Sequence, residues 1–159
     1  MRGRAEGGVA SAPMSNLERA IVIAAEAHGG VVDKAGAAYI LHPLRVMLAQ
    51  TTNDARIVGV LHDVVEDSAW TFEALRMEGF SEVVLEALAA VTKTPEEEGS
   101  DEGYERFVRR AGASAIGRAV KLADLRDNAD LSRIAEPTAA DLARVEKYRR
   151  AIAVLEGDL

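Results

Sequence analysis

His62 and Asp63 stand side by side, and each is a side chain that binds divalent cations. His42 precedes them in Tyr39-Ile40-Leu41-His42-Pro43, and Asp124 follows in Lys121-Leu122-Ala123-Asp124. The order His, His-Asp, Asp offers two nitrogen and two carboxylate ligands, a set that suits Mn²⁺, Fe²⁺ or Zn²⁺ and leaves coordination positions for water. A cation held this way activates water and polarises a phosphorus centre, so the set suits hydrolysis of phosphate esters. If the helix carrying His62 and Asp63 continues through Asp67, Glu66 and Asp67 lie one turn further along the same side. They are then free to orient or deprotonate a water, or to protonate a leaving oxygen. The plainer reading, an ordinary acidic last turn, is awkward because carboxylates there oppose the helix dipole.

Lys121, Asp124 and Asn128 recur at spacings of three and four, which puts them on one narrow helix face. Lys121 is either a phosphate contact or a salt-bridge partner of Asp124. Asn128 either binds a sugar hydroxyl or phosphate or caps the helix end. Arg144 and Tyr148 stand one turn apart and pair a phosphate-seeking guanidinium with a hydroxyl, although such a pair alone also suits a surface or packing role. His28 falls on an apolar helix face and reads as a satisfied core histidine.

Helices must position these groups. Ser15-Asn16-Leu17-Glu18 has capping-box spacing, and Leu17, Ala20, Ile21, Ala24, Ala25 and His28 follow along one face, which predicts a helix over about 16 to 28. Gly29-Gly30 ends it, and Pro43 fits the first turn of a second helix reaching about Ala49. Asp54 opens a third, with Ile57, Val60, Leu61 and Val64 facing the core. Thr71 and Ser81 cap the next two, the latter with Val84, Leu85, Leu88 and Val91 as apolar positions. The acidic run from Thr94 to Asp101 reads as a solvated, mobile surface loop before a helix around Tyr104 to Ala111. Ser114 starts a segment through about Asn128, and Thr138 caps a last helix to about Leu155. No repeat, Gly-rich phosphate loop or useful strand alternation is present.

At 159 residues the chain fits one domain, and 48% hydrophobic with only 4% aromatic residues suits small-residue helix packing. The expected fold is all-α, a single helical bundle over 15–159 after a flexible tail over 1–14. A net charge of -7 argues against a general nucleic-acid binder. No stretch reads as a signal peptide or membrane span, and the absence of cysteine fits a reducing compartment, so a cytoplasmic location is expected.

Taken together, Ala27-His28, Lys34, Gly36, Tyr39 to Pro43, Leu61 to Asp67, Val91-Thr92-Lys93 and Lys121 to Asp124 with Asn128 resemble the HD-domain phosphohydrolases. The resemblance is specifically to the hydrolase domain of the RelA/SpoT alarmone family and its stand-alone small hydrolases, and covers roughly residues 17 to 152. It implies an all-helical HD domain with one Mn²⁺ on His42, His62, Asp63 and Asp124. Glu66 and Asp67 would assist attack by a metal-bound water, which removes pyrophosphate from the ribose 3′ position of guanosine tetra- or pentaphosphate. Lys34 would approach the nucleotide, Asn128 the ribose-phosphate region, and Arg144 and Tyr148 the phosphates. The family usually has Arg, stacked on guanine, where this chain has Asp33, and reads Arg-Leu-His-Asn where this chain has Leu125-Arg126-Asp127-Asn128. An anionic Asp33 supplies no cationic stack, so an adenosine relative of the substrate stands beside the guanosine one. Two further readings stay open: a phosphatase acting on another phosphorylated nucleotide such as NADPH, and an idle nucleotide sensor. No nucleotide-synthesising domain is expected. The partner implied is a small nucleotide, with no nucleic acid or membrane and room for a homodimer.

Overall fold

The structure is a computed structural model that describes residues 15–157; the tail expected over 1–14 lies outside the described residues. Nine α-helices follow in order among the described residues: α1 (Leu17–Ala27), α2 (Leu41–Leu48), α3 (Asn53–Leu61), α4 (Val64–Asp67), α5 (Phe72–Met77), α6 (Glu82–Ala90), α7 (Asp101–Ala111), α8 (Ala115–Asn128) and α9 (Ala139–Glu156). The only β pairing among them is an isolated antiparallel bridge between Val32 and Ala38. No helix among the described residues is long and apolar enough to cross a membrane.

Side-chain caps start most of the helices. Thr71, Ser81, Ser114 and Thr138 each accept an N–H from the first turn that follows, and Thr138 forms a reciprocal box with Asp141. At α1 the cap is Asn16, whose Oδ1 accepts from Arg19 N at 2.9 Å, rather than Ser15, whose hydroxyl donates to Glu78 O. The buried face of α1 is Ala20, Ile23 and Ala24, so Ile23 takes the place expected of Ala25, which is exposed.

Helix α3 is the centre of the core. Ile57, Val58, Gly59, Val60 and Leu61 are buried on it, and α1, α2, α6 and α8 pack around it. Buried all round from Ile57 to Leu61, it derives its stability from packing more than from propensity. Gly59 lets α2 close in: a Cβ there would sit 3.2 Å from Cα of Met47. A helix-interior glycine costs about 1 kcal/mol relative to alanine, and here the close α2–α3 approach is what it permits. That approach brings His42 of α2 to the end of α3, where His62 lies.

The condition that one helix continues through Asp67 is not met: the helix is broken at His62-Asp63, between α3 and α4. The His62 ring donates from Nδ1 to Gly59 O at 2.7 Å, and this is the carbonyl that the Asp63 N–H would use in an unbroken helix. The break is slight, since Asp67 N still donates to Asp63 O at 3.0 Å. The acidic run before α7 also departs from a uniformly solvated loop. It contains a 3-10 turn, Pro95–Glu97, whose Glu97 is buried against Arg110 at 2.8 Å.

Candidate metal centre and adjoining pocket

Four side chains from three stretches of chain converge at the end of α3. Ligand atoms of His42, His62 and Asp63 all lie within 4.8 Å of one another. Nε2 of His62 is 3.3 Å from Nε2 of His42 and 3.1 Å from Oδ2 of Asp63. Asp124 joins from α8, its Oδ1 3.0 Å from His42 Nε2 and 3.3 Å from His62 Nε2.

The protons on these rings are set by what lies behind them. Gly59 O and the Asp127 carboxylate can only accept, so His62 Nδ1 (2.7 Å) and His42 Nδ1 (2.6 Å) are the donors. In the neutral rings both Nε2 lone pairs then face each other and two carboxylate oxygens, an arrangement that repels itself unless a cation or added protons sit within it. Ligands about 2.0–2.2 Å from a cation stand roughly 3–3.6 Å apart, close to the separations seen here, and ring N–H groups tied to a carbonyl or carboxylate are the usual support of metal-binding histidines. The donor set therefore fits a divalent cation of the Mn²⁺, Fe²⁺ or Zn²⁺ type.

Burial alone would raise the pKa values of Asp63 and Asp124. The imidazoles, together with Lys121 at Asp124, outweigh burial and hold both carboxyls below the ordinary range. Tyr39, to which sequence reasoning assigned no role, donates its hydroxyl to Asp63 Oδ2 at 2.5 Å. Lys121 is buried with Nζ 2.8 Å from Asp124 Oδ2, the salt-bridge alternative, and Asn128 Nδ2 donates to Asp124 Oδ1 at 3.0 Å.

Glu66 and Asp67 sit on α4 just past the ligand pair. Burial, the main cause, raises both carboxyls; the Asp63 charge adds to this at both, while at Glu66 the main-chain N–H of Lys93, 2.5 Å from Oε1, partly offsets it. Their raised pKa values suit groups that exchange a proton.

A pocket of about 450 Å³ opens beside the centre, lined by His42 and Tyr39 and by Lys34, Asn128, Arg144 and Tyr148. Lys121 is outside that lining. Arg45, Asp127 and Arg133, which the sequence did not single out, line it as well. Arg144 is held by Asp141, and Arg45 by Asp127 with Nε 2.7 Å from Oδ1. Asp33 turns Oδ1 back to accept from Ala35 N and Ala37 N, at 2.9 and 3.0 Å, and so shapes the loop that forms one wall. His28 is buried as expected, but its Nε2 has no hydrogen-bond partner among the described residues, so there it is a core histidine without being a satisfied one. Burial lowers its pKa and favours the neutral ring.

No family model matches the chain. A curated guanosine-3′,5′-bis(diphosphate) 3′-pyrophosphohydrolase of Aquifex aeolicus is 33% identical over 118 residues, 72% of this chain and 17% of that protein. The enzyme of the same name from Spiroplasma citri is 40% identical over 86 residues, 52% of this chain and 11% of that protein. A solved structure described as "A metazoan ortholog of SpoT hydrolyzes ppGpp and plays a role in starvation responses" superposes with a TM-score of 0.64 at 23% identity, covering 94% of each chain. Over 72% of its length the chain is thus similar to part of a curated guanosine-3′,5′-bis(diphosphate) 3′-pyrophosphohydrolase. It spans under a fifth of the length of these curated relatives, whereas it matches the metazoan structure nearly end to end, and that match establishes the shared all-α fold.

Proposed function

We propose that this chain, over residues 15–159, is an HD-type phosphohydrolase that removes pyrophosphate from the ribose 3′ position of ppGpp or pppGpp, or of an adenosine counterpart, with Mn²⁺ as cofactor. The observation that carries the reading is the pair of imidazoles fixed through Nδ1 so that both Nε2 atoms face Asp63 and Asp124. The names of the curated relatives agree with it.

In this reading His42, His62, Asp63 and Asp124 would hold the cation, which when bound would lower the pKa of water and polarise the phosphorus. Glu66, its Oε1 anchored by the Lys93 N–H, turns its other oxygen to the attacking water and takes its proton. Asp67, whose carboxyl burial raises above its ordinary range, gives a proton to the leaving oxygen. Tyr39 and Lys121 keep Asp63 and Asp124 in place. Lys34, Asn128, Arg144 and Tyr148 hold the ribose and phosphates in the pocket. The substrate is a small nucleotide handled in the cytoplasm rather than nucleic acid.

One observation keeps a second reading in view. Asp33 is committed to its own loop, so this position offers a purine no cation, and a phosphatase acting on another nucleotide such as NADPH is the alternative. Purified protein with Mn²⁺ is to be given ppGpp, pppGpp, ppApp and NADPH while pyrophosphate and phosphate are read separately. Pyrophosphate from an alarmone is expected, and phosphate alone from NADPH would replace the first reading by the second. His62→Ala is expected to lose metal and turnover together. Glu66→Gln is expected to keep metal and lose turnover by about 10²–10⁴-fold. Equal turnover in both variants and the parent would remove the mechanism.

A further inference from the structure

One half-buried carboxylate next to the centre is given no contact with cation or substrate in the reaction above. Asp127 lies three residues past Asp124 on α8, with its side chain only 12% exposed. Its Oδ2 is 2.6 Å from Nδ1 of His42 and accepts from Nη2 of Arg45 at 3.0 Å. Its Oδ1 accepts from Nε of Arg45 at 2.7 Å and faces Nη2 of Arg133 at 3.5 Å. Facing helices are thus interlocked in register. α2 presents His42 and Arg45, three residues apart, while α8 presents Asp124 and Asp127, also three apart. His42 spans the two carboxylates with its two ring nitrogens, and Arg45 closes on the second.

A neutral imidazole exchanges its tautomers at small cost, and an unrestrained ring turns about its side-chain bonds. The only hydrogen bond to Nδ1 of His42 among the described residues is the one to Asp127. Because a carboxylate has no proton to offer, that bond keeps hydrogen on Nδ1 and aims Nε2 at His62, Asp63 and Asp124. Two guanidiniums on one carboxylate keep Asp127 ionised, so His42 meets a full negative charge that strengthens its remaining nitrogen as a donor to metal.

We infer that Asp127 is a positioning residue of the metal centre, setting the tautomer and aim of His42 while Arg45 and Arg133 hold it in place. The inference rests on the metal-binding reading of His42. The test is Mn²⁺ affinity of the full chain, read by electron paramagnetic resonance of the free ion, in the parent and in Asp127→Asn, Asp127→Ser, Arg45→Met and His62→Ala. Thermal melts without metal report folding, and Asp127→Ser stands in if the Asn variant does not fold. Both Asp127 variants are expected to weaken Mn²⁺ by about 10–100-fold, and Arg45→Met by several-fold less. Parental affinity in the Asp127 variants would overturn the inference and leave the metal reading intact. Equal losses in Asp127→Asn and Arg45→Met would reduce Asp127 to a helix-docking ion pair and overturn it as well. Mn²⁺ binding unchanged by His62→Ala would overturn the metal reading itself and this inference with it.

Discussion

Each imidazole of the centre directs one nitrogen at an acceptor and the other at the cluster, so in the proposed reading a cation would compete with protons for the same Nε2 atoms. In the metal-free protein burial works against a charged ring. Asp124 and Asp127 outweigh it at His42, and Asp63 and Asp124 at His62, so both pKa values rise above 6.5. The sign of the consequence follows. A raised imidazole pKa moves the loss of the ring proton to higher pH, and the metal needs that proton gone. Mn²⁺ affinity measured by titration calorimetry is therefore expected to fall between about pH 8 and about pH 6, with more than one proton released per ion at the lower end. An affinity flat over that range would show that the rings are not ligands.

At the scale of elements, the 3-10 turn Pro95–Glu97 matters beyond its length because Lys93, just before it, supplies the N–H that anchors Glu66. Glu97 ties the turn to α7. Its two oxygens accept from Nε and Nη2 of Arg110, both at 2.8 Å, and Oε2 also accepts from Thr94 N at 3.0 Å. The Arg110 bonds, larger than the opposing effect of burial, hold its carboxyl at about 2. A carboxyl depressed in the fold contributes stability that is present above its unfolded value, near 4.5, and lost as pH falls through that value toward about 2. Glu97→Gln is expected to cost about 1–2 kcal/mol near neutral pH in urea denaturation and to flatten the acid limb of the stability curve. The same substitution should lower turnover with little change in Mn²⁺ affinity, because it loosens Glu66 and none of the ligands.

For the whole molecule, a net charge of -7 sets a repulsive background for a nucleotide polyphosphate, so the pocket must supply a local exception. Its arginines are largely committed: Arg45 and Arg133 to Asp127, Arg133 also to Asp130, and Arg144 to Asp141. Among the pocket's cations, Lys34 alone has no carboxylate within 4.0 Å among the described residues. Lys34→Ala is therefore expected to raise KM about tenfold, equivalent to about 1.4 kcal/mol, with kcat nearly unchanged. A steady-state comparison at fixed ionic strength checks this, and an unchanged KM would place the phosphates elsewhere.

The candidate set His42, His62-Asp63 and Asp124, which the fold does bring together, and the caps Thr71, Ser81, Ser114 and Thr138 were legible from residue types and short spacings. The all-α architecture was legible in the same way, through apolar faces such as Ile57, Val60 and Leu61. The break at His62-Asp63 was not, since it depends on which carbonyl the His62 ring takes. Spacing along α8 left two roles open for Lys121, and the fold buries it against Asp124. Arg45 and Asp127 gain their places only where α2 meets α8, and Tyr39 only where the chain before α2 meets Asp63; His42 and Asp127 are 85 residues apart in the chain. Periodicity along a helix states which side chains share a face, but which face meets which is decided by packing around α3, where Gly59 lets α2 approach closely enough for its histidine to reach both carboxylates of α8.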